Sequence, residues 1–200
     1  MSRLGGEPSK PHVKTIWQLF LKHGCRRILD VGCGYGWLGK HKPEGLEVIG
    51  IDIEKRKLEL AEKHEAVVIG DVCHLPFKDS SFDGVLASHV LEHIPDDLRA
   101  MKEIFRVLRG EGILIAEAPT PWWGAKADPT HLRSYVVESF SELANKAGFH
   151  VLQCYLLGRG IPGFGKLKLD SLSYRIGIFL ANRLHLLKGY VFMVCLKPQK

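Results

Sequence analysis

Three groups of residues have types and spacings that could do chemistry. The first is Ile28-Leu29-Asp30-Val31-Gly32-Cys33-Gly34-Tyr35-Gly36, an apolar run ending in an acid and followed at once by alternating glycines. This pattern predicts a buried strand that turns sharply and bares its backbone to a ligand. The second is Asp52, which closes the apolar run Val48-Ile49-Gly50-Ile51, 22 residues after Asp30. A carboxylate about 20 residues beyond a glycine turn sits at the tip of the neighbouring parallel strand, where it can accept both hydroxyls of a ribose. Together these two stretches outline a nucleoside site. The third group is His89, His93 and His131. A free imidazole titrates near neutral pH, which makes a histidine in such a place a candidate general base.

Two registers of the glycines compete. Gly34-Tyr35-Gly36-Trp37-Leu38-Gly39 is a G-x-G-x-x-G, which a dinucleotide-binding fold places directly after its strand. That register would bury the Asp30 carboxylate inside the first strand, which is costly without a partner. Starting the turn at Gly32 leaves Asp30 at the strand's end, facing the ligand. In this register the residues resemble motif I, D-x-G-x-G-x-G, of the class I S-adenosylmethionine-dependent methyltransferases, of the small-molecule, methyltransferase-11-like type. The resemblance continues through Gly70-Asp71-Val72-Cys73-His74-Leu75-Pro76-Phe77 and Ser81-Phe82-Asp83-Gly84-Val85-Leu86-Ala87-Ser88, and covers roughly Arg26 to Gly148.

The resemblance implies an α/β fold, a doubly wound, mostly parallel sheet of seven strands in the order 3-2-1-4-5-7-6 with strand 7 antiparallel. It implies S-adenosylmethionine as cofactor and S-adenosylhomocysteine as product. The cofactor-binding residues carried over are Asp30, Gly32, Cys33, Gly34, Gly36, Asp52, Ile53, Asp71, Val72 and Ser88. Asp30 would receive the cofactor's ammonium, partly through water, and the short helix from Gly36 its carboxylate. Ile53 would pack on the adenine face, with Asp71 accepting from the adenine amino group and the Val72 amide facing a ring nitrogen. Asp71 could equally cap a short helical turn. Lys10 to Lys14 would fold over the cofactor's methionine end or simply belong to a helix covering the sheet.

Substrate class is read from the residues after the fourth strand. Ser88-His89-Val90-Leu91-Glu92-His93-Ile94-Pro95-Asp96 has neither the N-P-P-Y type of motif with which amino-group methyltransferases stack a flipped base nor a Pro-Cys nucleophile. This argues against a nucleobase and for a small-molecule or lipid methyl acceptor. His89-Val90-Leu91-Glu92-His93 also matches H-x-x-E-H, in which two histidines one helical turn apart share a zinc with the glutamate as base. Pro95 closes that stretch within a turn and it comes directly after a sheet strand, so no metal is expected. His131 leads the order of candidate bases, then His93 and His89; each could instead be a packed or capping histidine. Trp122 and Trp123, in the loop Pro119 to Thr130, cannot both enter the core, because neighbours on an extended chain face opposite ways.

The elements that must position these residues are read from periodicity. Helices are expected over Pro11 to His23 and Arg56 to His64, and behind an Asp96 or Asp97 cap with its stripe ending at Gly110. A fourth runs from His131 through Tyr135 and Phe140 to Gly148. Strands are expected at Ala66 to Gly70, Phe82 to Ala87, Gly112 to Ala118, Phe149 to Leu157 and Tyr190 to Leu196. The helix before Gly110 and the strand after it read as scaffold. Residues 158–189 read as an insertion, a glycine-rich loop and then an amphipathic helix. It would pack on its own domain, act as a substrate lid or dimer contact, or dock on a membrane surface.

The bulk properties agree. Two hundred residues, 46% hydrophobic and 25% charged, make a single globular domain over 1–200, with 1–10 a flexible polar lead. Five cysteines without a C-x-x-C pair suit a reducing cytoplasm rather than secretion. The net charge of +6 is concentrated from Gly158 onward, where eight bases face one acid. A basic patch of that kind indicates non-specific phosphate contact at most. Two rivals remain: a non-catalytic cofactor- or partner-binding protein of this fold, and a protein or RNA methyltransferase. An NAD-dependent oxidoreductase is disfavoured by the register of Asp30 and by the lack of a Tyr-x-x-x-Lys pair.

Overall fold

Alternation along the strands sorts the core into two layers. In β1 (Arg27–Val31), Ile28 joins one hydrophobic cluster while Leu29 and Val31 join the other. The same division holds for Leu86 against Val85 and Ala87 in β4 (Phe82–Ser88). It holds again for Ile113 and Ile115 against Leu114 and Ala116 in β5 (Leu108–Pro119). Successive side chains of a strand point to opposite faces, so near-continuous apolar runs need cover on both. One face is covered by α1 (Lys10–Lys22), through Val13, Ile16, Trp17 and Phe20. The other is covered by α3 (Asp97–Val107) and α4 (Val137–Ala147), through Ala100, Met101, Ile104, Phe140, Leu143 and Ala144.

The computed structural model describes residues 10–54, 64–121, 128–158 and 189–199. The remaining strands are β2 (Glu47–Asp52), β3 (Ala66–Ile69), β6 (His150–Gly158) and β7 (Gly189–Leu196). All seven form one sheet in the order β3-β2-β1-β4-β5-β7-β6. Strands β1 to β5 pair in parallel, and β7 runs antiparallel to both β5 and β6. The expected doubly wound sheet is therefore the observed one. The order reverses beside β1, whose neighbours are β2 and β4. A crevice at the carboxyl ends of these strands is where an open α/β sheet binds its ligand.

Two expected boundaries differ. The stripe of α3 ends at Val107, not Gly110, because Leu108 already pairs with Phe82 of β4. The chain passes from helix to strand without a loop. Residues 131–136 are not helical, since the Leu132 amide donates to Glu92 O at 2.8 Å and the Tyr135 amide to Pro119 O at 3.0 Å. The helix starts only at Val137. The helix expected over Arg56 to His64 (except His64 itself, a bend), the paired tryptophans, residues 1–9 of the polar lead and the body of the 158–189 insertion lie outside the described residues. Gly158 and Gly189 are register partners, and the adjoining Tyr190 pairs with Pro119 at the end of β5. The insertion thus departs from the same sheet edge as the crevice. Among the described residues no helix is long and apolar enough to cross a membrane.

Candidate active site

The turn after β1 is built from backbone. Gly32, Gly34 and Gly36 have φ of 64°, 52° and 75°, a left-handed conformation that glycine adopts without strain. At Gly32 a side chain would also meet Val90 Cγ2 at 2.7 Å, so the turn and the loop after β4 are in direct contact there. At Gly34 the nearest atom to an added Cβ is Gly32 O at 4.0 Å, which leaves room over the backbone. The Cys33 amide donates to Ile51 O and the Gly34 amide to Asp52 Oδ2, at 3.1 and 3.0 Å. Behind Gly36, α2 (Trp37–Lys40) is a single short turn.

Asp52 stands at the tip of β2, beside Ile69 of β3. Its second oxygen accepts from the Glu54 amide at 2.9 Å. A carboxylate oxygen can accept two hydrogen bonds, so both keep capacity for a ribose hydroxyl. The neighbouring Ile53 is 71% exposed, an apolar platform next to that carboxylate. These features fit the nucleoside half of S-adenosylmethionine.

Asp30 is placed differently from expectation. It lies one residue inside the end of β1, is 2% exposed, and pairs with His64 Nε2 at 3.0 Å. A buried carboxylate is tolerable where a partner meets it. Burial pushes its pKa up, against the opposing pull of His64. Asp71 caps the 3-10 turn Val72–His74, its Oδ1 accepting from the Cys73 amide at 2.8 Å. That bond leads the causes that hold its carboxyl below the ordinary value. Its side chain remains 49% exposed, and Val72 beside it is buried.

On the other side of the crevice, side chains replace backbone. Ser88 Oγ donates to Glu117 Oε2 at 2.6 Å, and Glu117 Oε1 lies 2.6 Å from His12 Nε2. Glu117 is 2% exposed, so β5 carries more than scaffold. Tyr190 of β7 reaches the same place: its hydroxyl is 3.5 Å from His12 Nδ1, and its ring stands edge-on to His89 at 5.4 Å. His12, Glu117 and Tyr190 were not singled out from the sequence. The available signal was an acid inside the apolar run Ile113 to Ala118, which requires a partner. Lys10 to Lys14 form the first turns of α1, and His12 is the residue by which that helix joins the edge.

The three sequence-predicted histidines divide. His89 comes directly after β4 with φ of 54° and places Nδ1 3.3 Å from Glu92 Oε1. Packing works to lower its pKa, but the contact with Glu92 and the charges of Glu92 and Glu117 outweigh it and raise the net value. His93 ends the 3-10 turn Leu91–His93 and meets His131 edge-on, ring centres 4.7 Å apart. His89 and His93 are thus not stacked on one α-helix. A cavity of about 370 Å³ lined by Asp79, Arg106, Lys197 and Pro198 opens at the opposite edge of the sheet and shares no residue with this site.

Comparison with known proteins fits this geometry. The family model for a methyltransferase domain matches residues 29–116. A probable S-adenosylmethionine-dependent methyltransferase of Mycolicibacterium smegmatis is 31% identical over 142 residues, 66% of this chain and 55% of the relative. The demethylmenaquinone methyltransferase of Thermotoga maritima is 32% identical over 108 residues, 51% of this chain and 47% of the relative. The chain spans about half the length of the curated relatives it matches. The crystal structure of a SAM-dependent methyltransferase from Archaeoglobus fulgidus superposes with a TM-score of 0.71 at 25% identity, over 94% of this chain and 95% of that one. With the glycine turn, the strand-tip acid and the sheet order all in place, the chain is similar in sequence over residues 29–116, and in fold, to the class I S-adenosylmethionine-dependent methyltransferases.

Proposed function

We propose that this chain catalyses in-line transfer of a methyl group to an oxygen, nitrogen, sulfur or carbon nucleophile of a small molecule or lipid. The observation that carries the reading is the glycine turn fastened to the strand-tip carboxylate by the Gly34 amide, with Ile53 exposed beside it. S-adenosylmethionine, when bound, supplies an electrophilic sulfonium methyl. The turn at Gly32 to Gly36 would hold its amino-acid half, Asp52 its ribose, and Ile53, Asp71 and Val72 its adenine. The acceptor would enter over the ends of β4 and β5, where His89, His93 and His131 can take a proton from a hydroxyl or an ammonium. Orientation is the main contribution asked of the protein, and well-aligned pairs gain roughly 7–11 kcal/mol by it. The acceptor named in the Thermotoga maritima relative, a demethylmenaquinone, supports an apolar small molecule as substrate class.

The test is calorimetric titration of the purified chain with S-adenosylmethionine, S-adenosylhomocysteine and NAD. Micromolar binding of the first two without the third is the expected result. NAD binding, with silence toward the sulfonium pair, would overturn the assignment. Once an acceptor is in hand, His131→Ala should lower turnover while leaving cofactor affinity unchanged; unaltered turnover would remove His131 from the proton-transfer role.

A further inference from the structure

Among the described residues, Glu92 is the acid of this edge with no hydrogen bond of its own. It is fully buried, and neither carboxylate oxygen accepts a hydrogen bond from the described residues. Oε1 has His89 Nδ1 at 3.3 Å. A buried carboxylate is costly unless positive charge and hydrogen bonds meet it, and the single contact from His89 to Oε1 leaves Oε2 unmet. Two imidazoles stand next to it. One ligand atom each from Glu92, His93 and His131 lie within 4.8 Å of one another. Neighbouring ligands of a tetrahedral ion stand roughly 3.4 Å apart, so loading needs these side chains to close by up to about 1.4 Å.

The chain holds the three together by construction. The Leu132 amide donates to Glu92 O at 2.8 Å, Arg133 Nη2 to Pro95 O at 2.7 Å, and the Tyr135 hydroxyl to Leu91 O at 3.4 Å. The non-helical segment 131–136 is thereby laid across the 3-10 turn that carries Glu92 and His93. The same bonds prevent the helix expected there. His93 is also oriented: its Nδ1 faces Thr130 O at 3.2 Å and Thr130 Oγ1 at 3.0 Å, and that hydroxyl donates to Asp128 Oδ1 at 2.6 Å. A histidine that gives one nitrogen to a carbonyl presents the other to a metal.

We propose that Glu92, His93 and His131 bind one divalent transition-metal ion, of which zinc is the best fit, with coordination positions left open to an oxygen of the methyl acceptor. Two imidazoles and one carboxylate suit zinc or its neighbours, whereas magnesium and calcium favour all-oxygen shells. These ligands depart from the expectation of no metal and differ from those of an H-x-x-E-H motif: Glu92 would ligate rather than act as base, and His131, 38 residues after His93, would stand in for His89. Val90, two residues before Glu92, packs against Gly32, so the ion would lie on the loop that touches the turn proposed to hold the methyl donor. With the ion bound, His89 alone of the three histidines is left to take a proton, and the acceptor is a molecule that can ligate through a hydroxyl, enol or carboxylate oxygen. This part rests on the methyltransferase reading; the metal site itself does not.

The test uses the full chain, without an affinity tag, stripped with a chelator and titrated with zinc chloride by calorimetry and with cobalt chloride by visible absorption. One ion per chain is expected, with tetrahedral cobalt bands. His93→Ala and His131→Ala should each weaken binding at least about 100-fold, since loss of a ligand exceeds the 10–100-fold typical of a supporting residue. His150→Ala, an exposed histidine outside the cluster, should change nothing. Magnesium should not compete. Circular dichroism of each variant, and His131→Gln as a conservative replacement, separate lost ligation from lost folding. No ion bound more tightly than about 10 μM, or binding unaltered by both cluster variants, would overturn the proposal. S-adenosylmethionine titrated into the same stripped sample keeps the readings apart: cofactor binding without metal sinks the ion alone, and metal binding without cofactor sinks the methyltransferase reading alone.

Discussion

Around Gly32 the crevice is made of backbone, and around Glu117 it is made of side chains. The donor side comes from two consecutive strand ends, β1 and β2, joined by the Gly34 amide to Asp52 bond. The side proposed for the acceptor brings together His12, Ser88, Glu92, His93, Glu117, His131 and Tyr190 from six parts of the chain, and His12 and Tyr190 are 178 residues apart. A bared backbone turn recognises what every reaction of this class shares. Side chains drawn from separate elements can change one at a time, which suits the part of the site that must differ with each acceptor. The two sides should therefore fail differently when altered.

The largest effect is expected on the acceptor side, at Glu117. Glu117 is buried between the Ser88 hydroxyl and the His12 ring, and breaking a buried pair around an acid costs up to about 3–5 kcal/mol. Glu117→Ala should lower unfolding free energy by that amount in urea melts, and His12→Ala paired with it in a double-mutant cycle should show strong coupling. An additive cycle would mean that the 2.6 Å contact to His12 does not matter to stability. Gly32→Ala comes next, because the contact with Val90 joins the two sides. Left-handed strain of about 1–2 kcal/mol adds to overpacking of about 1–3 kcal/mol. Gly34→Ala shares the strain but meets open space, so it should cost less than half as much. Val90→Ala should restore part of the Gly32→Ala loss and none of the Gly34→Ala loss. Asp52→Ala ranks third, weakening cofactor binding by about 1–3 kcal/mol as charge-assisted bonds disappear; unchanged affinity by calorimetry would remove the ribose role.

The same contrast decides what the sequence could show. The glycine turn and Asp52 were legible because they rest on local pattern, apolar runs, glycine spacing and a strand-tip acid, whereas the seven-strand order came only with the family resemblance that those motifs carry. Asp30 was misplaced, because the rule that a buried carboxylate needs a partner was right but the partner, His64, lies 34 residues away. The helix before Val137 was begun too early, because its first residues give their amides to Glu92 and Pro119 instead of to one another. His12, Glu117 and Tyr190 were missed for the same reason. Their meeting depends on which residue of β7 lies opposite Pro119, and register across non-consecutive strands leaves no mark on local periodicity.

The smallest effect is expected at Asp71, where the two proposed roles can be separated. As the cap of the 3-10 turn it satisfies the Cys73 amide, and caps of this kind contribute about 0.5–2 kcal/mol. With half of the side chain in solvent, the lower end of that range is expected. The bond depresses its folded pKa below the unfolded value of 3.8, so the stability it supplies is present above that pH and is lost as pH falls through the folded pKa. Asp71→Ala should flatten this acid limb in melts recorded between about pH 5 and pH 2, with or without cofactor. If Asp71 also accepts from adenine, the variant loses cofactor affinity at neutral pH beyond what its stability loss explains, and a ligand without the exocyclic amine binds wild type and variant alike. Equal loss for both ligands would leave Asp71 a cap and nothing more. Base recognition would then rest on Ile53 and the Val72 amide, and the donor side would again be backbone and apolar surface, with Asp52 as its single carboxylate.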